Sequence, residues 1–524
     1  MRDTEQFAFG DRGPWEIEPA AVAWRADVAR LRAASREAVP AMVARRSMPP
    51  LGRFTEAAAR IGGGLALWAL RERRGDGVRS RQGLSRRLRR AFERLGPAYI
   101  KLGQIVSSGH GLFPPELVEE FKKCRDQVPP EPFDVVRRVV EEDLGAPLES
   151  VFASFERVCL AAASIAQVHA ARLRTGEDVV VKVQRPAVAR RVHEDVAAMA
   201  WIAPLLVGRI PVAALANPPA LVELFAETIV EELDFRLEAE NMLDVARVLC
   251  EAGQRIVVVP RPHPTLVTRR VLVMERLHGF KYDDVAGMRA AGVDTEAVVH
   301  SLLIAFLEGA MIFGVFHGDL HGGNLFVMRD GRVALFDYGI TGRMDEPQRL
   351  AFLRMMMTGA VNDVRGQLEA FRDLGALPPD ADLDEVMRLL RIDEPVQDPT
   401  KLSSEDLVHE IQRLLKGLLG LGARLPKHLM LYVKGMLFFD GAITTLAPDV
   451  NLLDEVVRIY GYFAVNHGAR IMGDIGFDPT RTTVDLDGIR RAVGLDGEVA
   501  SLTQREVQER RAVIQQRLEE AGRR

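Results

Sequence analysis

The sequence predicts an α+β chain of two lobes: a small β-sheet lobe, then a larger helical half, with a helical extension in front. Three observations predict it. Between Phe152 and Leu277, short alternating and β-branched runs recur with turn residues between them. After Gly279 the pattern is mainly helical. Two polar loops, FHGDLHGGNLFV and VALFDYG, interrupt that half. Strands first and helices second is the order of an α+β domain.

Each element follows in turn. The first ninety residues are Ala/Arg-rich with helical spacing, and Met48-Pro49-Pro50 and Gly62-Gly63-Gly64 read as breaks. A second helical block is expected from about Leu84 to Lys123, with LGPAYIKLGQIVSS inside it and Pro114-Pro115 and Pro129-Pro130 at its end. FERVCLAAASIAQVHAARL, the turn Thr175-Gly176 and the run Val179 to Val183 predict a hairpin or meander. One long amphipathic helix is expected over roughly Leu221 to Ala246, with acids at Glu231, Glu232, Asp234, Glu238 and Glu240. RIVVVP (255–260) and TLVTRRVLVMERL (265–277) would complete a five-strand sheet. The tail after Leu502 reads as a charged amphipathic helix able to pair. The implied division is an Arg-rich helical segment 1–84, a helical extension 85–150, a small lobe 151–278, a helical lobe 279–465 and a tail 466–524.

Composition excludes several classes. The 524 residues are 48% apolar and 27% charged, which argues against a disordered, collagen-like or polytopic membrane chain. The net charge is −4, so no global field points to nucleic acid. That balance hides one basic stretch, Arg71 to Arg94, with ten arginines against Glu72, Asp76 and Glu93. Its arginines either face anionic head groups or line a solvated helix. No aromatic residue interleaves them before Phe92, which disfavours single-stranded nucleic acid. Cys124, Cys159 and Cys250 are too widely spaced for a zinc or disulfide framework, so no disulfide partner is expected. The N-terminus has no apolar h-region, and no run of about 20 residues lacks charges. The expectation is a cytoplasmic protein, peripheral to the inner face of a membrane if the basic stretch binds lipid.

The densest polar cluster is His317-Gly318-Asp319-Leu320-His321-Gly322-Gly323-Asn324, with Asp337-Tyr338-Gly339 thirteen residues on. Phosphoryl transfer needs oxygen donors for magnesium, a carboxylate near the attacking hydroxyl and a cation on the phosphates. Asp319 fits the base, and Asn324 and Asp337 fit the metal ligands. Lys182, on a valine-rich strand, can reach phosphates if a carboxylate holds it, and Glu238 is the leading partner. Glu231 and Glu240 read as a solvated helix face. Ala161-Ala162-Ala163-Ser164 lies where a Gly-rich loop would cover phosphates; alanine takes positive φ only at a cost, so this loop should be less pliable.

In this order, LGPAYIKLGQ, AAASIAQVHAA, VVVKVQRP, EELDFRLEAEN, HGDLHGGN and LFDYG resemble the UbiB/AarF-domain atypical kinases over roughly residues 85–460. LPKHLMLYVKGMLFFDG and LAPDVNLL are similar to that family's C-lobe ending. The resemblance implies a bilobal protein-kinase-like fold that binds ATP and magnesium. It implies that Lys101, Gly103 and Gln104 form a K-x-G-Q motif on an extension over the cleft, with Glu232 and Asp234 facing Lys101. It implies that Glu238 pairs with Lys182. Ala161, Ala162, Ala163, Ser164, Lys182, Glu275 and Leu277 are then the nucleotide-contacting candidates, with Asp319, Lys182 and Glu238 catalytic. Relatives often carry proline at the position of Gly322 and alanine at Gly318, so this loop is expected to be looser.

Three functions compete. The first is a magnesium-dependent ATPase or kinase supporting isoprenoid-quinone or other lipid metabolism, the role the resemblance suggests. The second is a small-molecule phosphotransferase of the aminoglycoside/choline-kinase kind, which shares the HGDxxxxN loop but lacks LGPAYIKLGQ and AAASIAQVH. The third is a non-enzymatic, nucleotide-gated scaffold at a membrane.

Overall fold

The computed structural model describes residues 9, 13–18, 21–44, 52–73, 77–107, 115–123, 129–206, 218–391, 399–403, 406, 413, 417, 420–492 and 501–523. The Met48-Pro49-Pro50 break, Pro114 and Cys124 lie outside them. The chain forms two compact units. The first comprises Met1–Glu251, Val258–His278 and Ala334–Ile340; the second comprises Ala252–Val257, Gly279–Val333 and Thr341–Arg524.

The first unit opens with helices α1 (Val28–Val43), α2 (Arg53–Arg71), α3 (Gly77–Leu95), α4 (Pro97–Ser107) and α5 (Pro115–Phe121). The expected break at Gly62-Gly63-Gly64 does not occur, because all three lie inside α2. A Cβ on Gly64 would sit 3.7 Å from Arg87, an ordinary contact, and one on Gly62 or Gly63 would meet nothing within 4 Å, so the helix simply continues through all three. Chain direction changes instead at Gly96, whose φ of 104° favours glycine. Within the basic stretch, Arg81 pairs with Glu116, Arg87 with Glu72 and Arg89 with Glu120, at 2.7, 2.7 and 3.0 Å.

Helix α6 (Phe133–Leu144) leads to strands β1 (Phe152–Phe155), β2 (Ala161–Ala162), β3 (Ala166–Leu173) and β4 (Asp178–Gln184). After helices α7 (Val188–Leu206), α8 (Pro218–Glu231) and α9 (Phe235–Glu251) come β5 (Pro262–Val267) and β6 (Val271–Glu275). The order is β1-β3-β4-β6-β5, with β2 on β3, in an antiparallel sheet of six strands rather than five. RIVVVP is not one of them. The sheet takes Pro262–Val267 in its place. The single helix expected over 221–246 is two, broken at Glu232-Leu233-Asp234. Asp234 stops one and starts the other, its carboxylate accepting from the Arg236 amide at 3.1 Å.

Strand periodicity decides which face each β4 residue takes. Val179, Val181 and Val183 are buried against α6 residues Val136, Val139 and Val140. Each such valine is worth roughly 1.5–3 kcal/mol. Lys182, one step out of phase, lies on the opposite face.

The second unit contains β7 (Phe280–Lys281) and α10 (Thr295–Glu308), which runs into a π-helical turn, Gly309–Phe313. Gly314, φ 68°, ends that turn and delivers β8 (Val315–His317). β8 pairs with β10 (Thr341–Arg343), and β9 (Leu325–Val327) pairs with β7. Its longer helices that follow are α11 (Glu346–Ala360), α12 (Lys427–Leu446), α13 (Leu452–Ile475) and α14 (Gln504–Arg523). Residues 295–313 and 427–446 are long and apolar enough to cross a bilayer. The first is mostly buried in the protein, and its Glu308 accepts from Tyr462 at 2.8 Å and pairs with His467 at 2.7 Å.

Candidate active site

In the first unit, Lys182 of β4 meets Glu238 of α9 and Asp337. Its Nζ donates to both Glu238 oxygens at 2.7 and 2.9 Å and to Asp337 Oδ1 at 3.1 Å. The Glu238 side chain is 3% exposed and that of Lys182 12%. Burial works against the charge on Lys182. The Asp337 and Glu238 carboxylates outweigh it and raise the ammonium above the ordinary lysine range. Asp337 has a left-handed backbone, φ 59°, one of four such non-glycine residues among those described.

Lys101 on α4 is buried and donates to Glu232 at 3.1 Å. A Cβ on Gly339 would lie 3.2 Å from the Glu232 side chain, so this pair sits beside the Asp337-Tyr338-Gly339 turn. Asp234, expected to face the same lysine, is engaged by Arg236 instead, at 2.6 and 2.9 Å. As the residue opening α9, its carboxylate is satisfied locally. Gly103 and Gln104 lie on the same helix as Lys101, and the Gln104 carbonyl accepts from Ser107.

The alanine-rich segment is a tight turn. Ala161 and Ala162 pair with Val168 and Gln167, and the Ala163 amide donates to the Ala166 carbonyl at 2.8 Å. None of Ala161 to Ser164 has positive φ, and Ser164 is buried. Arg185 braces the turn by donating to the Ala163 carbonyl at 2.9 Å, to Glu131 at 3.0 Å and to the Pro129 carbonyl at 3.0 Å. Glu275 ends β6 with its carboxylate accepting from the Arg261 amide at 3.2 Å, and Leu277 follows half-buried.

In the second unit, Asp319 and Asn324 occupy the loop after β8. The Asp319 amide donates to His317 Nδ1 at 3.1 Å, and the Asn324 amide group donates to the Asp319 carbonyl at 3.1 Å. Both side chains are buried. Gly322 marks close packing, because a Cβ there would fall 2.7 Å from the Tyr282 ring.

Several residues had no role from sequence. Lys434 of α12 ion-pairs with Asp319. Gly435, next to it, lets α12 approach α10, since a Cβ there would lie 2.4 Å from the Phe306 ring. Its spacing inside LPKHLMLYVKGMLFF was visible, but its partner is 115 residues away. Glu240, read as solvated, is buried and takes two hydrogen bonds from Arg25 at 2.8 and 2.9 Å. Glu231 is buried too, 3.8 Å from Arg36. Partners that far apart leave no local signal.

Oxygen donors suit a hard cation such as magnesium, and Asn324 and Asp337 both offer them. Among the described residues no three His, Cys, Asp or Glu side chains cluster to hold a metal. Magnesium bound through one or two protein oxygens plus phosphates requires no such cluster.

Residues 123–370 match the ABC1 atypical kinase-like domain. The chain is 35% identical over 392 residues to the uncharacterized protein Rv0647c of Mycobacterium tuberculosis, covering 73% of this chain and 78% of that one. It is 32% identical to the uncharacterized aarF domain-containing protein kinase At5g05200, chloroplastic, of Arabidopsis thaliana, covering 70% and 73%. It is also 32% identical to the probable protein kinase UbiB of Aeromonas hydrophila, covering 71% and 69%.

Proposed function

This chain belongs to the UbiB/AarF family of ABC1 atypical kinase-like proteins, and on that premise we propose that it is a magnesium-dependent ATP-binding kinase or ATPase serving isoprenoid-quinone or other lipid metabolism at a membrane surface. The observation that carries this reading is the buried Lys182–Glu238–Asp337 cluster, a charged lysine held ready by two carboxylates. Lys182 supplies the cation for the nucleotide phosphates, and Glu238 fixes its direction. Asp319 orients the attacking hydroxyl or water and accepts its proton, and Lys434 ion-pairs with it. Asp337 in the first unit and Asn324 in the second would each offer an oxygen to magnesium, which when bound would spread the phosphate charge. Ala161 to Ser164, Glu275 and Leu277 line the nucleotide. Lys101, with Glu232, regulates access.

The membrane part rests on α2 and α3. Leu67 and Leu70 are 42% and 82% exposed, and Arg71, Arg73, Arg79 and Arg90 are exposed as well. Basic residues beside apolar ones favour anionic lipid, at about 1 kcal/mol per arginine.

ATP binding and phosphate release, measured with and without anionic liposomes for the wild type and Asp337→Asn, test the proposal. Magnesium-dependent release that Asp337→Asn abolishes supports it. Binding without release would favour a nucleotide-gated scaffold, and absence of both ATP and magnesium binding would overturn both readings. Flotation on anionic liposomes should fall when Arg71, Arg73, Arg79 and Arg90 become serine; undiminished flotation sinks the membrane contact.

A further inference from the structure

Three arginines near the N-terminus reach acidic residues of α8 and α9, the latter being the helix that carries Glu238. Arg25 holds Glu240, Arg32 lies 4.0 Å from Asp244, and Arg36 lies 3.8 Å from Glu231. Arg32 does one thing more. Its Nη2 donates to Oδ1 of Asn241 at 2.8 Å, and Asn241 Nδ2 donates to the Tyr338 carbonyl at 2.8 Å. Asn241 is 1% exposed. A guanidinium only donates, so the Asn241 oxygen must face Arg32 and its NH2 group must face the carbonyl. Tyr338 directly follows Asp337, whose left-handed backbone persists only where its surroundings hold it. The Gly339 amide and Lys182 both donate to Asp337 Oδ1, at 3.3 and 3.1 Å, so the direction of that carboxylate depends on this short turn.

We infer that Arg32 is a positioning residue for Asp337: through Asn241 it pins the Tyr338 carbonyl, and with it the left-handed turn that aims the Asp337 carboxylate at Lys182. The segment before residue 44 thereby acts on the turn 337–339 through Asn241. The functional meaning rests on reading Asp337 as a metal ligand, but the link can be tested without nucleotide.

Amide hydrogen exchange of the full, nucleotide-free chain reads the link at residues 338–340. Arg32→Ala should speed exchange there about tenfold. Asn241→Asp keeps the acceptor for Arg32 and loses the donor to Tyr338, so it should speed exchange at 338–340 equally while leaving residues 28–43 unchanged. The double variant should be no faster than the faster single, because the two substitutions break one chain of contacts. Arg36→Ala, at a 63% exposed side chain on the same helix, should have no effect. Wild-type exchange in Arg32→Ala, multiplicative singles, or an equal effect of Arg36→Ala would each overturn the inference. If Arg32→Ala does not fold, Arg32→Met, which keeps the stem and loses the donors, and Asn241→Asp carry the same test. With ATP added, both variants should raise the magnesium concentration for half-maximal turnover about tenfold, which a merely structural loss of α1 docking would not do selectively. A wild-type protein that never turns over ATP, yet shows the exchange pattern, would refute the kinase reading and leave the positioning role standing.

Discussion

Glu238→Gln keeps the volume of the side chain and removes its charge. In the folded protein both Glu238 oxygens lie 2.7–2.9 Å from Lys182 Nζ. Two unit charges at that distance attract by about 6 kcal/mol at an effective dielectric of about 20. Most of this is offset by the cost of burying the two groups, and removing one partner of such a buried pair typically costs about 3–5 kcal/mol. Asp337 remains at 3.1 Å and the glutamine oxygen still accepts one hydrogen bond, so the expected loss lies at the lower end, about 3 kcal/mol. Urea unfolding at pH 7, followed by circular dichroism, measures it for Glu238→Gln, Lys182→Met and the double variant. The double should cost about 2 kcal/mol less than the two singles added, because the second substitution removes a charge already stranded. Lys182 is raised above its unfolded value, so its contribution is fully present below the unfolded pKa and fades only as pH rises through the higher folded value. The result at pH 9 should therefore equal that at pH 7. A Glu238→Gln cost below about 0.5 kcal/mol with strict additivity would refute the reasoning.

Lys434→Ala, which takes the ion-pair partner from Asp319, should lower kcat about 100-fold with little change in KM, and Lys434→Arg should recover part of it; unchanged kcat would remove Lys434 from the chemistry. Gly435→Ala forces α12 away from Phe306 and should cost about 1–3 kcal/mol in thermal unfolding while also weakening turnover, through the neighbouring Lys434. Burial pushes His263 down to about 4, and its Nδ1 accepts from the Thr265 and Leu266 amides at 3.2 Å, so the native state holds it neutral. Protonation then favours the unfolded chain. Stability is full above about pH 6.5 and falls as pH drops toward 4, by about 1–2 kcal/mol after solvent screening, and His263→Gln should shrink the difference in urea midpoint between pH 7 and pH 4.5.

The lobe order and the Lys182–Glu238 pairing were legible where a residue's place is written in its own neighbourhood. Lys182 could be placed because alternation along β4 separates it from Val181 and Val183, and Glu238 because acids cluster on the next long helix. The break at Glu232–Asp234 was not legible, since the amphipathic period continues through it and only the Asp234–Arg236 contact shows the turn. Gly62 to Gly64 misled in the other direction: glycine propensity argues for a break, yet the three lie inside one continuous helix, α2. RIVVVP does hold a short strand, Val257–Val258, but outside the six-stranded sheet, and it is Pro262–Val267 that pairs with β6. Glu240 reads as solvent-facing on its own helix, but its guanidinium partner lies 215 residues away. Local pattern names the elements, while partners at such separations depend on tertiary packing.

The division of the chain has a consequence for biosynthesis. The first unit is finished by Ala334–Ile340, long after its sheet has been translated. Lys182 and Asp337 are separated by 155 residues, so at about 5–20 residues per second a nascent chain waits roughly 8–30 s between making the lysine and making the second carboxylate. Glu238 arrives far sooner and is the first partner available to a lysine that burial would otherwise penalise. A chain released before residue 334 can build the six-stranded sheet but has neither Asp337 nor the turn that Asn241 grips. Truncated products would therefore carry the lysine end of the cluster without its DYG acid, and completion of translation becomes a condition for assembling it.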